Sequence, residues 1–216
     1  MLDPADSANG SMVDQASALE LAIGLRDQLA SAQLRLVLVE SCTAGRVAAC
    51  LGLLAGISQW LCGSLVVYRS ASKSAWLGVP QDLLEDPLQG PVSAAASSWL
   101  ATAALDQTPE ADLCIAITGD VGPGAPPATD GWIFLAAARR PARQQEVLTP
   151  QQQMLAAALE QPLAPVCLVK EWQQRLANPA PRDSSDIAGR QARLEEAAKW
   201  TLKFATEVAA ENFPPT

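Results

Sequence analysis

A four-residue apolar segment, LVLV at residues 36–39, runs directly into a turn of small and polar residues, ESCTAG at residues 40–45. An unbroken run of branched apolar residues is typical of a strand buried on both faces of a parallel sheet. The residues after the turn are mostly small and apolar, which favours a buried helix over residues 43–55. A buried strand that leads into a helix predicts an α/β fold, with the turn at the carboxyl end of the strand.

The same alternation of strands and helices continues along the chain and is typical of an α/β sandwich. Helices are predicted at residues 13–33, 43–55, 70–77, 92–105 and 189–211, with Ser93 as a helix cap. Strands are predicted at residues 36–39, 64–68, 112–118 and 131–138, with a weaker candidate at 166–170. We therefore expect a three-layer α/β/α sandwich built on a mostly parallel or mixed sheet.

The length of 216 residues predicts one domain. Residues 1–12 are polar and small, and we expect them to form a disordered leader. Residues 13–216 are expected to form the single domain, with an insertion around 141–186 that is rich in Gln, Pro and Ala. Residues 47–68 carry no charge, but their glycines and the strand-like SLVVY favour a buried helix, loop and strand over a membrane span.

Composition excludes several classes of function. Fifteen Lys and Arg against 23 Asp and Glu give a net charge of −8, which argues against nucleic acid or a membrane as partner. The absence of histidine excludes a Ser-His-Asp triad and any histidine metal site. The five cysteines lack C-x-x-C spacing and are expected to be free thiols of a cytoplasmic protein that lacks a signal peptide. No metal and no cofactor is predicted.

The turn after the first strand carries candidate catalytic groups. Ser41 precedes a helix N-terminus, whose N–H groups could stabilise an oxyanion if Ser41 were a nucleophile. The alternative is that Ser41 or Thr43 only caps the helix. Without histidine the serine needs another base, and lysine with a pKa lowered by burial is the usual substitute. Lys73 follows a predicted strand end, with Tyr68 nearby, whereas Lys199 and Lys203 are expected on a solvated helix face.

Two other motifs are weaker. Residues 70–73, SASK, fit the S-x-x-K pattern of β-lactamases, but the companion S-D-N and K-T-G elements are missing. The loop at residues 119–130, GDVGPGAPPATD, could offer N–H groups to an anion, or could be an ordinary surface turn.

Together these segments resemble the C-terminal domain of CinA, the competence/damage-inducible family. ESCTAGR (40–46) resembles the family's E-S-x-T-G-G, and VVYRSASKSAWLGVP (66–80) resembles Y-S-N-x-x-K-x-x-x-L-G-V-P. GPVSAAA (90–96) resembles G-x-V-S-x-x-x-A, and residues 117–136 resemble T-G-x-A-G-P-x-G…G-T-V-Y-[IL]-A. The four motifs occur in the family's order over residues 19–138, with a looser match over the last helix.

The resemblance implies a nicotinamide mononucleotide deamidase, which hydrolyses the carboxamide to a carboxylate and releases ammonia. It implies Ser41 as the nucleophile, Lys73 as the base, and Tyr68 as the residue that orients Lys73 or relays its proton. The implied substrate-binding residues are Glu40, Thr43, Ala44, Gly45, Thr118, Gly119 and Gly122, with either Arg190 or Arg193 at the nucleotide phosphate. Family members tend to form homo-oligomers, and we expect the same here, with a small nucleotide as the substrate.

Several positions depart from the family's motifs. Ala44 stands where the family has glycine, which costs about 1 kcal/mol if the position requires a positive φ. Asp120 stands in place of an aliphatic residue and could repel a phosphate. Arg46, Ser70, Val121 and Trp132 also differ from the usual residues. Two alternatives therefore stay open: a Ser-Lys amidase with another substrate, and a non-catalytic module that binds a nucleotide or a protein partner.

Overall fold

The computed structural model describes residues 16–140 and 166–211, and the described residues form a mixed five-stranded sheet. The strands are β1 (Leu36–Glu40), β2 (Leu61–Val66), β3 (Leu113–Gly119), β4 (Trp132–Arg139) and β5 (Cys167–Arg175), in the order β2-β1-β3-β4-β5. The helices are α1 (Ala18–Ala32), α2 (Arg46–Gly52), α3 (Ser70–Leu77), α4 (Gln81–Glu85), α5 (Ala94–Asp106) and α6 (Ile187–Ala210), with a 3₁₀ turn at Ile57–Gln59.

The direction of the strands changes halfway across the sheet. β1 pairs in parallel with both β2 and β3, whereas β4 runs antiparallel to β3 and to β5. The carboxyl ends of β1, β2 and β3 therefore meet at one edge, together with the amino end of β4. This arrangement confirms the predicted mixed sheet and brings the polar turn after β1 beside the loop that follows β3.

Two apolar cores lie on opposite faces of the sheet and make the protein a three-layer sandwich. Leu36, Leu38, Ile115 and Ile117 pack on one face against α1, α2 and α6. On the other face, Val37, Val39 and Ala116 pack with side chains of α3, α4 and α5. The alternation of neighbouring strand residues between two cores is the reason why residues 36–39 of β1 are all apolar.

Local chemistry explains where the elements differ from the predicted bounds. α1 begins at Ala18 because Ser17 and Glu20 form a capping box. α2 begins at Arg46, three residues later than predicted, because Ala44 and Gly45 adopt left-handed conformations with φ of 53° and 92°. Ser93 caps α5 as predicted. α4 was not predicted, β2 begins three residues earlier than predicted, and β5 is longer than predicted.

Some predictions concern residues outside the described ranges. The proposed leader at 1–12 and residues 141–165 of the proposed insertion lie there. The uncharged segment at 47–68 consists of α2 without its first residue, the 3₁₀ turn, β2 and the residues that connect and follow them. Among the described residues, no helix has the length and apolar character needed to cross a bilayer.

Candidate active site

A cavity of about 210 Å³ lies at the edge of the sheet where β1 and β3 end. Several predicted site residues line it: Ser41, Tyr68, Lys73, Gly119 and Arg190. The remaining lining residues are Cys42, Ser70, Pro91, Val92, Asp120 and Val121. The topology is the reason for this meeting, because parallel strands present their carboxyl ends, and the turns that follow them, at one edge.

The turn after β1 presents Ser41 to this cavity. The Ser41 side of the turn is anchored to β3, since the Ser41 amide donates to the Ile117 carbonyl oxygen at 3.1 Å. The Ser41 carbonyl oxygen accepts from the Ala44 amide at 3.1 Å, which closes the turn. Ser41 is 6% exposed, so the residue is sheltered but still lines the cavity.

Glu40 holds the turn through contacts with α2 and β2 and does not line the cavity. Its carboxylate accepts hydrogen bonds from the Val47 amide at 3.1 Å, the Ala48 amide at 2.9 Å and the Ser64 hydroxyl at 3.1 Å. These donors belong to the first turn of α2 and to β2. Glu40 is fully buried and its charge faces the helix N-terminus, a favourable location for an anion. The side chain thus joins β1, β2 and α2.

The hydrogen-bond pattern shows which backbone donors of the turn remain for a ligand. Amides of Ala44, Arg46, Val47 and Ala48 are already bonded to oxygens of the turn. The amides of Cys42 and Thr43 face the sulfur of Cys42, which is a weak acceptor. Within the described residues, neither these two amides nor that of Gly45 bonds to a carbonyl oxygen. The Thr43 hydroxyl is fully buried and has no hydrogen-bond partner there.

Lys73 enters the same cavity from α3. It is only 2% exposed, and its Nζ donates to the Pro91 carbonyl oxygen at 2.5 Å. Among the described residues it forms no ion pair. Burial therefore dominates and lowers the pKa of Lys73 from 10.5 to about 8. The Pro91 carbonyl belongs to the GPVS segment, in which the sequence predicted a role only for Ser93, as the helix cap.

Cys42 also lines the cavity, next to Ser41. Burial raises the pKa of its thiol to about 12, against a smaller opposing effect of the Lys73 charge. A thiol with such a pKa stays protonated at neutral pH and is a poor nucleophile. Cys42 is therefore not a preformed thiolate nucleophile, although it lines the cavity together with Ser41 and Lys73.

Arg190 and Arg193 occupy different environments, although they are one helical turn apart on α6. Arg190 lines the cavity, where its Nη2 donates to the Tyr68 hydroxyl at 2.6 Å and its Nη1 donates to the Gly122 carbonyl oxygen. Tyr68 is therefore bonded to an arginine here and is 52% exposed. This contact spans the cavity from α6 to the segment before α3.

Arg193 is buried away from the cavity and is 4% exposed. Its two terminal nitrogens bind the Asp130 carboxylate at 2.6 Å and 3.1 Å, and its Nε donates to the Asn178 carbonyl oxygen at 3.0 Å. The hydrogen bonds from Arg193 keep the pKa of Asp130 below its usual value. The structure thus separates the two arginines that the sequence could not, since only Arg190 faces the cavity.

The loop after β3 approaches the turn closely. An added Cβ at Gly119 would lie 2.8 Å from Ile133 Cγ2 and 2.9 Å from the Cys42 sulfur, so a side chain there would separate the two segments. Gly122 has a φ of 62°, and its amide donates to the Asp120 carboxylate at 3.4 Å. Thr118 does not line the cavity; its fully buried hydroxyl bonds with that of Ser97 at 3.0 Å.

The positions that depart from the family's motifs are spread around this edge. Ala44 is exposed and has the positive φ that glycine would accommodate without strain. Asp120 and Ser70 line the cavity, whereas Trp132 stacks on Phe134 with 6.4 Å between ring centres. No cluster of three His, Cys, Asp or Glu side chains within residues 16–140 and 166–211 could hold a metal ion. All five cysteines are free thiols.

Comparison with known proteins agrees with the resemblance drawn from the motifs. A family model described as "CinA C-terminal domain" matches residues 18–162, more than half of the chain. A CinA-like protein of Syntrophotalea carbinolica is 37% identical over 118 residues, 54% of this chain and 28% of its own length. One from a Mycobacterium species is 40% identical over 118 residues, 55% of this chain and 25% of its own length. The chain spans about a quarter of these relatives.

Solved structures share the fold. A competence or damage-inducible protein from Enterobacter asburiae superposes with a TM-score of 0.67 at 21% identity, covering 91% of this chain and 100% of that one. The protein CihA from Agrobacterium tumefaciens gives a TM-score of 0.62 at 25% identity, covering 88% of this chain and 93% of that one. The five-stranded sandwich described above is thus the architecture of these proteins as well.

Proposed function

The chain belongs to the CinA C-terminal domain family, and we propose that it is an amidohydrolase that converts nicotinamide mononucleotide to nicotinate mononucleotide and ammonia. The observation that carries this proposal is that Ser41 and the buried, pKa-lowered Lys73 line one cavity. A primary carboxamide needs a nucleophile and a proton acceptor, and these two side chains supply both without histidine.

The first half of the reaction forms an acyl-enzyme. Neutral Lys73 accepts the Ser41 hydroxyl proton while Oγ attacks the amide carbon, and the carbonyl oxygen becomes an oxyanion. The uncommitted amides of the turn and the unpartnered Thr43 hydroxyl are the donors nearest in sequence to Ser41 that could stabilise this charge. Lys73 then returns its proton to the amide nitrogen, the carbon–nitrogen bond breaks, and ammonia leaves.

The second half releases the acid. Lys73 takes a proton from water, the resulting hydroxide attacks the Ser41 ester, and collapse of the intermediate returns the proton to Ser41 Oγ. The sum is one amide and one water converted to one carboxylate and one ammonium ion. The Pro91 carbonyl, which accepts from Lys73 Nζ, would hold the amine in place during both halves.

Arg190 is proposed to bind the nucleotide phosphate, because it is the arginine of α6 that faces the cavity. To do so it would exchange its bonds with the Tyr68 hydroxyl and the Gly122 carbonyl for a charge-assisted bond to phosphate oxygens. Glu40 acts as a positioning residue, since it holds the turn that carries Ser41. Its carboxylate already accepts hydrogen bonds from three donors inside the protein.

The test is ammonia release from nicotinamide mononucleotide by the wild type, Ser41→Ala and Lys73→Met. We expect release by the wild type, loss of at least about 1,000-fold in both variants, and retained substrate binding in Ser41→Ala. An equal rate in the wild type and Ser41→Ala would contradict the serine mechanism. Binding without turnover in all three proteins would favour the alternative of a non-catalytic nucleotide-binding module.

A further inference from the structure

Asp120 places a carboxylate in the cavity that has no ion-pair partner among the described residues. It directly follows β3 and lines the cavity together with Ser41, Lys73 and Arg190. Its oxygens accept from the Gly122 amide at 3.4 Å and from the Thr129 hydroxyl at 3.2 Å, both of which are neutral donors. Asp120 forms no ion pair with the described residues, in contrast to Asp130, whose charge is paired with Arg193.

The position of Asp120 relative to Ser41 restricts which part of a ligand it can meet. Gly119, the residue before it, packs so closely on Cys42 that an added Cβ would touch the cysteine sulfur. The loop carrying Asp120 therefore begins beside the residue that follows Ser41. A carboxamide under attack at Ser41 is bonded directly to its ring, so the ring lies nearer to the start of this loop than the phosphate, which a ribose separates from the ring. Arg190 meets the loop farther along, at the Gly122 carbonyl oxygen.

We propose that Asp120 is a specificity-determining residue that binds the positively charged ring of a pyridinium carboxamide. The inference rests on the proposed function and adds to it, because it names the charge of the ring as the feature that is recognised. The substrate then meets complementary charges at both ends: the cationic ring faces Asp120, and the anionic phosphate faces Arg190. An aliphatic residue at position 120 would lack this attraction.

The proposal is tested with two ligands of nearly the same shape and different ring charge. Nicotinamide mononucleotide has a cationic ring, and its 1,4-dihydropyridine form has a neutral ring with the same ribose and phosphate. Calorimetry in the Ser41→Ala background, which prevents hydrolysis, gives the dissociation constants with and without Asp120→Asn. We expect about tenfold weaker binding of the cationic form and a change below about twofold for the neutral form.

The other outcomes separate this inference from competing explanations. If Asp120→Asn bound both forms more tightly, the carboxylate would be repelling the phosphate. If binding of both forms were unchanged, Asp120 would serve only the structure of the loop. Either result overturns the proposal. Asp120→Glu should retain most of the preference for the cationic ring. Asp27→Asn, which changes the net charge equally on the exposed side of α1, should not alter binding.

Activity of the wild type distinguishes a failure of the proposed function from a failure of the proposed role of Asp120. If the wild type releases no ammonia from nicotinamide mononucleotide, the proposed function and the role of Asp120 both fall. If ammonia is released and Asp120→Asn leaves the preference between the two ring forms unchanged, only the role of Asp120 is overturned.

Discussion

Glu40 and Lys73 are both buried charged residues at the same edge of the sheet, yet their surroundings differ sharply. In the turn after β1, three donors satisfy the Glu40 carboxylate. In α3, one carbonyl oxygen accepts from the Lys73 amine, and burial lowers its pKa to about 8. A satisfied buried charge stabilises the structure around it, whereas an under-satisfied one remains available to gain or lose a proton.

The largest effect is expected from Lys73→Met, which should lower amide hydrolysis by at least about 1,000-fold and yet stabilise the protein at pH 7. A pKa reduced from 10.5 to about 8 corresponds to roughly 3 kcal/mol of destabilisation, from which the lost hydrogen bond to Pro91 is subtracted. The expected net gain in the free energy of unfolding is about 2 kcal/mol, measured by urea denaturation.

The pH dependence of this gain gives an independent check. Below pH 8 the lysine is charged in both states, so the cost of burial is fully present. Between pH 8 and 10.5 the unfolded state binds more protons than the folded state, so the wild type gains stability as pH rises. The excess of the free energy of unfolding of Lys73→Met over that of the wild type should therefore be smaller at pH 10 than at pH 7. Lys199→Met, at a half-buried site on α6, should show neither effect.

Replacement of the satisfied charge should have the opposite consequence. Glu40→Gln leaves at least one of the buried donors facing an amide NH₂ group, and we expect a loss of about 3 kcal/mol in the free energy of unfolding. Chemical denaturation measures it, with Glu207→Gln on the exposed face of α6 as the control, which should stay within about 0.5 kcal/mol. An unchanged stability would contradict the structural role of Glu40.

The two arginines of α6 extend the comparison to a second pair of residues. Arg193→Met should cost about 2 kcal/mol of stability, because it leaves the partly exposed Asp130 carboxylate without its partner. Arg190→Met should change the free energy of unfolding little and raise KM for the nucleotide instead. Denaturation and steady-state kinetics on both variants test this difference in role. Equal changes in the free energy of unfolding and in KM for the two variants would contradict it.

The smallest effect concerns the turn itself. Ala44 has a φ of 53°, so Ala44→Gly should relieve strain and raise the free energy of unfolding by about 1 kcal/mol. The same substitution at Ala49, inside α2, should lower it by a similar amount because glycine weakens a helix interior. Thermal denaturation of the pair checks the sign, and destabilisation by both substitutions would mean that Ala44 is not strained.

The fold was largely predictable because its signals are local. The apolar run at β1 and the Ser93 cap of α5 each identify an element from a few neighbouring residues. The reversal of direction at β4 was left open as a mostly parallel or mixed sheet, because strand direction depends on pairing between distant segments. α2 begins later than predicted because Ala44 adopts a positive φ, which an alanine does not itself indicate; the glycine that the family has at this position was the available signal.

The sequence predicts a set of candidate site residues but not their contacts. The motifs gave Ser41 and Lys73, which line one cavity. Glu40 and Thr118 immediately precede the cavity residues Ser41 and Gly119, yet Glu40 bonds to α2 and β2, and Thr118 bonds to Ser97 of α5. The distinction between Arg190 and Arg193 depends on Asp130 and Tyr68, which are distant in the chain. The sequence has no local signal for such partners.

The pH dependence of kcat/KM for ammonia release from nicotinamide mononucleotide tests most directly whether Lys73 is the base. The wild type should become faster between pH 6.5 and 9.5, with a midpoint near the lysine pKa of about 8. The residual activity of Lys73→Met should lack this rise. A wild-type rate that is independent of pH across this interval, or that falls where the lysine loses its proton, would contradict the account.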